Sequence, residues 1–191
     1  MISRRQLRIK ALQTLYAYYN KGREDMGRSE KELHFNIHKA YELYHYMLLL
    51  IIDIVLYAES RIELARNKRV PTHEDLHPNT RFIDNRLVDQ LRNNEHLLRF
   101  VDQHKLNWSN YPELIRELYN KVVNSEEYAA YMEDRDNNYA EDKRFIIHIY
   151  THVIFPSESL DQILEEQSIY WNDDLEFITS MIVKTFKKFR E

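Results

Sequence analysis

The chain has no cysteine, two glycines and four prolines among 191 residues. Without cysteine there is no disulfide framework and no thiol chemistry, which is typical of proteins that work inside the cell. The scarcity of turn residues argues against a β-sandwich or barrel, whereas the helix formers Leu, Ile, Glu, Lys and Arg are plentiful. The composition therefore predicts an all-α fold, a multi-helix bundle.

The sequence also lacks a hydrophobic run long enough for a membrane. The most apolar stretch, residues 46–57 (YMLLLIIDIVLY), is about half of the ~20 residues that a spanning helix needs, and it contains Asp53. No charged and apolar leader with a cleavage site precedes it. We expect a cytoplasmic protein with no membrane partner, in which this stretch is core and Asp53 faces solvent.

A long helix is predicted to begin at Ser29, where Glu32 completes a capping box. It should continue to Arg69, because no Gly or Pro interrupts the sequence before that residue. Its length would be about 60 Å. Apolar residues recur along it at alternating steps of four and three, a heptad seam. The seam consists of Ile37, Tyr41, Tyr44, Leu48, Ile51, Val55, Ala58, Ile62 and Ala65. It could pack within the chain or pair with a second chain.

Further helices are predicted from periodicity and from cap residues. The first should begin at Ser3, which forms a capping box with Gln6, and should end near Gly22. The others span about residues 80–102, 112–124, 125–134, 139–155, 157–167 and 173 to the end.

One string matches a catalytic motif. His73–His77 reads HEDLH and fits the zinc pattern H-E-x-x-H, in which two histidines one helical turn apart bind one metal. Pro71 and Pro78 enclose it, however, and a proline disfavours helical geometry at the residue before it. A long helix cannot carry this motif, so a metal-dependent hydrolase remains only a weak alternative.

No other pattern requires an enzyme. Histidines four apart occur twice, as His34 with His38 and as His148 with His152, but neither pair has an obvious third ligand, and we expect surface or core-edge positions. Gly22 is one of only two glycines, too few for a phosphate-binding loop. We expect a non-catalytic protein without cofactor or metal.

Charge is distributed unevenly along the chain. Residues 1–28 carry seven Lys/Arg and two Asp/Glu, net +5, whereas the remainder is net −9. Arg4, Arg5, Arg8 and Lys10 lie in the first turns of the first helix, where the helix dipole favours anions instead. These positions suggest that the cations have a ligand.

Placed at 100° per residue, Arg4, Arg5 and Arg8 fall within a broad apolar arc of the first helix. The opposite side carries Gln6, Lys10, Gln13, Thr14 and Ala17. We expect the helix to bury its apolar arc and to present the arginines at the rim of the buried surface. Two interpretations remain open: the guanidinium groups simply reach into water, or they bind phosphates, with Lys10 and Gln13 in support.

The first helix also carries a resemblance. Residues 3–19 (SRRQLRIKALQTLYAYY) resemble the opening of the NusB family of transcription antitermination factors, an arginine-rich turn followed by A-x-Q-x-L-Y. This resemblance implies an all-helical protein that binds the boxA element of leader RNA together with the ribosomal protein NusE. It assigns RNA contact to Arg4, Arg5 and Arg8, while Gln6 stands at one family arginine position.

Two further strings, HPNTRFIDN at 77–85 and YWNDDLEFI at 170–178, are similar to a longer variant of the same family. The resemblance implies that residues 24–171 are an insertion relative to short NusB proteins. Residues 1–191 would form one helical domain or the N-terminal portion of one, without the family's C-terminal half. Implied partners are NusE and the polymerase-associated Nus factors, with self-association possible. The alternative is a helical protein-interaction scaffold that does not bind RNA.

Overall fold

A computed structural model describes residues 4–22, 25–134, 138–171 and 174–191. Over these residues the protein is all-α, with ten α-helices, one π-helical segment and no strand, as the composition predicts. The helices are α1 (Arg4–Asn20), α2 (Met26–Arg66), α3 (His73–Leu76), α4 (Arg86–Arg92), α5 (Glu95–His104), α6 (Pro112–Val123), α7 (Glu126–Glu133), α8 (Tyr139–His148), α9 (Glu158–Gln167) and α10 (Leu175–Lys188), and the π-helical segment (Ile149–Ile154) continues α8.

The long helix α2 is the axis of the fold, and α1, α4, α5, α6 and α10 all pack against it. It begins earlier than predicted. Asp25 caps it, because its carboxylate accepts a hydrogen bond from the Arg28 backbone N–H at 2.9 Å. Ser29 lies inside the first turn, and its hydroxyl donates to the Asp25 carbonyl at 3.3 Å. The prediction of a cap at Ser29 was wrong because a better acceptor precedes it.

The heptad seam of α2 lies in the core of its own chain. Leu48 is 5% exposed, and Ile51 and Val55 are fully buried. They belong to one apolar cluster that includes residues of α4, α6, α8, α9 and α10, so the middle of the seam is covered by the rest of the chain. This burial removes the middle of the seam as a surface for pairing with a second chain, whereas the seam residues toward its two ends are only partly buried.

Other boundaries match the predictions except at two places. The predicted helix over 80–102 begins later, at Arg86 after the Asn85 cap, and is two helices: Asn93 ends α4, and the Asn94 side chain caps α5 by accepting from the Leu97 N–H at 2.9 Å. The predicted helix over 139–155 widens into a π-helix after His148. Ser3 and Asp173, two predicted start residues, lie outside the described residues. In the described part of the chain, none of the helices is both long and apolar enough to cross a membrane.

Candidate nucleic-acid interface on the first helix

Helix α1 packs with its polar side inward. Its three buried residues are Gln6, Lys10 and Thr14, at 7%, 4% and 9% exposure. They are four residues apart and therefore form one line along the helix. A buried line of amide, ammonium and hydroxyl groups requires polar partners in the body of the protein, because an unpaired buried polar group is costly.

Asp174, the N-cap residue of α10, provides that partner. Its carboxylate accepts a hydrogen bond from the Gln6 side-chain amide at 2.8 Å and pairs with the Lys10 ammonium at 2.7 Å. The Lys10 and Asp174 side chains are 5% and 1% exposed. Thr14 meets its own need locally, because its hydroxyl donates to the Lys10 carbonyl at 2.9 Å. The anchor of α1 is therefore a buried ion pair with the start of α10.

The prediction that α1 buries its apolar arc was wrong. The outward residues are Leu7 (38% exposed), Ile9 (39%), Leu12 (69%), Leu15 (44%), Tyr16 (70%) and Tyr19 (55%). The physical reason is Asp174, a fully buried carboxylate that takes its cation, Lys10, and a hydrogen-bond donor, Gln6, from the polar side of α1. Satisfying that carboxylate directs the arc toward solvent.

This orientation changes the position of the arginines. Arg4, Arg5 and Arg8 are exposed, and at 100° per residue they share the outward side with Leu12 and Tyr16. They therefore extend the exposed apolar surface toward the helix N-terminus and do not stand at the rim of a buried one. We call this outward side, residues 4–19 of α1, the α1 face.

The two supporting residues separate in the structure. Gln13 is exposed, but it lies on the polar side of the helix, away from the arginines. Lys10 cannot contact a ligand on the α1 face, because its ammonium lies on the opposite, buried side of the helix in the pair with Asp174. The expectation that Lys10 extends the arginine cluster is therefore corrected: its charge is neutralised inside the protein.

Two tyrosines of the α1 face belong to the apolar arc that was expected to be buried. Tyr16 and Tyr19 are more than half exposed, and the Tyr19 ring makes an edge contact with Tyr18 at 5.7 Å between centroids. Exposed aromatic rings that share one surface with arginines are typical of surfaces that bind single-stranded nucleic acid. Residue type was the signal for this exposure in the sequence. Three of the four residues 16–19 are tyrosines, and their hydroxyl groups would need hydrogen-bond partners in a core.

The zinc-like string has the geometry that its prolines predict. α3 covers only one turn, His73–Leu76, and His77 already ends it. Thr72 and Asp75 form a capping box, and Asp75 also pairs with Lys68 at 2.8 Å. Within the described residues, no group of three or more His, Asp or Glu side chains is placed to hold a metal ion.

The paired histidines occupy surface and core-edge positions, as expected. His34, His38 and His152 are exposed and His148 is half-buried. The His148 and His152 rings stack with centroids 4.2 Å apart, and burial lowers the pKa of His148 despite Glu127 at 3.5 Å. These contacts join α8 to its π-helical continuation.

Asp53 differs from its prediction. It is partly buried and not solvent-facing, and it lines a groove between α2 and α6. Burial raises its pKa from 3.8 to about 6, although a hydrogen bond from the Trp108 backbone lowers it in part. Asp53 lies away from the seam, as predicted. The seam is only one side of α2, however, and α6 packs against another side, where Asp53 lies.

Comparison with known proteins gave no match: no protein-family model, no curated protein and no solved structure is significantly similar to this chain.

Proposed function

We propose that the protein is a non-catalytic, RNA-binding transcription antitermination factor of the NusB kind that acts on boxA-type leader RNA. The observation that carries the proposal is the α1 face, where Arg4, Arg5 and Arg8 lie exposed in the first turns and Tyr16 and Tyr19 lie exposed in the last turns. Residues 4–22 contain no Asp or Glu, so no acidic side chain of the same segment neutralises the arginines.

Binding would use two kinds of contact. The planar guanidinium groups of the arginines match phosphate oxygens in a bidentate manner and would hold the RNA backbone. The rings of Tyr16 and Tyr19 are placed to stack on unpaired bases, which is how proteins most often recognise single-stranded RNA.

The biological setting comes from the sequence resemblance alone. The strings at 3–19, 77–85 and 170–178 support a NusB-like role in a Nus complex with NusE in the cytoplasm. The structure adds that 77–85 leads into the Asn85 cap of α4, which accepts from the Leu87 and Val88 N–H groups. The string HPNTRFIDN therefore has a structural role, and the RNA role rests on α1.

A charge-matched pair of variants tests the proposal. The first changes Arg4, Arg5 and Arg8 to Ala, and the control removes three exposed arginines elsewhere, Arg99→Ala with Arg116→Ala and Arg144→Ala. The control arginines are 72%, 59% and 79% exposed and each pairs with a glutamate of its own helix, so both variants lose the same charge without disturbing the core.

Affinity for a boxA-type RNA should be measured against salt concentration for both variants. We expect the α1 variant to bind more weakly and its log–log salt slope to flatten by about 2, since each phosphate contact on a single strand contributes about 0.7. The control should keep the slope of the unmodified protein. Equal slopes in the two variants would remove the RNA site from α1.

A second candidate function, the helical interaction scaffold, is favoured by a different observation. The middle of the α2 seam is occupied, but Leu12 and Leu15 on the α1 face are exposed at 69% and 44%. Exposed leucines on one helix side are typical of protein-binding surfaces. Changing both to Ser discriminates the functions: a scaffold would lose self-association or partner binding, whereas the arginine-dependent salt slope would stay.

A further inference from the structure

A groove of about 420 Å³ lies between the middle of α2 and the start of α6. This volume is within the range of small-molecule sites, about 300–1,000 Å³. Its lining residues are Asp53, Leu56, Tyr57, Asn107, Trp108, Ser109, Pro112 and Ile115. Most of these side chains are apolar or aromatic, and Asp53 is the one carboxylate among them.

The back of the groove is rigid. Trp108 is 1% exposed, its ring stacks on Tyr46 at 3.8 Å between centroids, and its indole N–H donates to the Tyr46 carbonyl at 3.0 Å. The Tyr46 hydroxyl in turn donates to the Asn107 carbonyl at 3.2 Å. The Asn107 side chain is held by hydrogen bonds from Ser109. A wall fixed in this way is preformed, so a ligand would not have to order it.

Asp53 has one polar partner, and it is not a cation. The Trp108 backbone hydrogen-bonds to its carboxylate, and in the described part of the chain no lysine, arginine or histidine forms an ion pair with it. The first two charged residues of α6, Glu113 and Arg116, pair with each other at 2.6 Å. A carboxylate among apolar side chains is costly without a counter-charge, and a bound cation would supply it.

We propose that this groove is a binding site for a small organic cation, a primary ammonium on an apolar or aromatic stem, whose ammonium pairs with Asp53 while the stem lies against Leu56 and Tyr57. Charge complementarity selects the cation, and the aromatic and aliphatic lining selects the stem. The site is independent of the RNA proposal, because α1 contributes no residue to it.

The test compares two probes of nearly equal shape. 2-Phenylethylammonium carries the charge, and 2-phenylethanol replaces the ammonium by a hydroxyl. Binding is followed by the NMR signals of the Trp108 indole and the Ile115 methyl groups. We expect saturable binding of the ammonium at least tenfold tighter than of the alcohol. Equal affinities, or no saturable shift with either probe, would overturn the proposal.

Two variants locate the effect. Asp53→Asn should abolish the preference for the ammonium, leaving the two probes alike. Leu56→Lys changes a residue that is 46% exposed at the groove, so the fold is retained, and its own ammonium should compete for Asp53 and weaken probe binding. If the preference persists in both variants, the cation binds somewhere other than this groove.

The pH profile gives an independent check. The titratable side chains that the groove and its back wall place around Asp53 are the phenols of Tyr46 and Tyr57 on α2 and of Tyr111 beside α6. Binding of the ammonium should therefore weaken as pH falls through about 6, where Asp53 takes up a proton. Binding of the alcohol should not change over this range. A flat profile for the ammonium would contradict pairing with Asp53.

Discussion

Helices α1 and α2 are fixed to the rest of the protein by opposite kinds of contact. Over its middle, α2 buries apolar residues on most of its circumference, and Leu43, Leu50 and Ile54 are fully buried. α1 buries an amide and an ammonium, and exposes leucines and tyrosines. Non-directional apolar burial fixes α2, whereas one carboxylate, Asp174, determines which side of α1 faces inward. Removing a core residue and removing the carboxylate should therefore have different consequences.

The largest effect is expected in α2. Leu50→Ala should lower the free energy of unfolding by about 3–4 kcal/mol, because a fully buried leucine loses its contacts and leaves a cavity. Chemical denaturation monitored by circular dichroism measures this loss. A loss below about 1 kcal/mol would mean that the middle of α2 is not the centre of the core.

The next effect concerns the anchor of α1. Asp174→Asn should destabilise the docking of α1 by about 2 kcal/mol. This loss is smaller than for a buried pair whose remaining charge stays buried, because α1 can detach and expose the Lys10 ammonium to water. Amide hydrogen exchange should speed up in α1 and stay slow in the middle of α2. The matched control is Asp102→Asn, whose pair with Lys105 is about 80% exposed and should matter little. Uniform destabilisation of both helices would contradict separate anchoring.

A smaller effect of the opposite sign is expected at Asp53. Its folded pKa of about 6 is above the usual 3.8, so the folded state binds the proton more tightly and stability falls as pH rises through this interval. Asp53→Asn should therefore stabilise the protein by about 1 kcal/mol at pH 7, reduced from the full shift by partial solvation, and give no gain below pH 4. Denaturation at both pH values measures the difference; an equal gain at each would rule out the titration of Asp53 as the cause.

The smallest effect is expected on the α1 face. Leu12→Ser should change the free energy of unfolding by less than about 0.5 kcal/mol, since the side chain is 69% exposed. The same denaturation experiment as for Leu50→Ala gives the direct contrast between the two helices. A loss as large as that of Leu50→Ala would show that the apolar arc is covered in the native protein in solution.

The sequence predicted the architecture well and the orientation of α1 poorly. Composition and periodicity were sufficient for an all-α fold with a long central helix, and the caps at Ser125 and Ser157 are those of α7 and α9. Apolar patterning assumes that a helix turns its apolar side inward. That assumption failed for α1 because the decisive partner, Asp174, is 164 residues away from Lys10 and its depth of burial cannot be read from the sequence.

The same limit applies to the two candidate sites. The arginines were identified from local sequence, because their number and the missing acids are visible in residues 4–22. Tyr16 and the groove at Asp53 were missed, since each depends on which side of a helix the rest of the chain covers. Long-range packing, and not local propensity, decides such exposure.

Cross-linking of bound RNA to the protein tests the role of the α1 face most directly. A boxA-type RNA with photoreactive uridines is bound, irradiated and digested, and the modified residues are located by mass spectrometry. We expect adducts on Tyr16, Tyr19 or their neighbours in residues 4–22, and their loss when Arg4, Arg5 and Arg8 are changed to Ala. Adducts confined to another basic segment, such as Lys184 to Lys188 of α10, would contradict RNA binding by the α1 face.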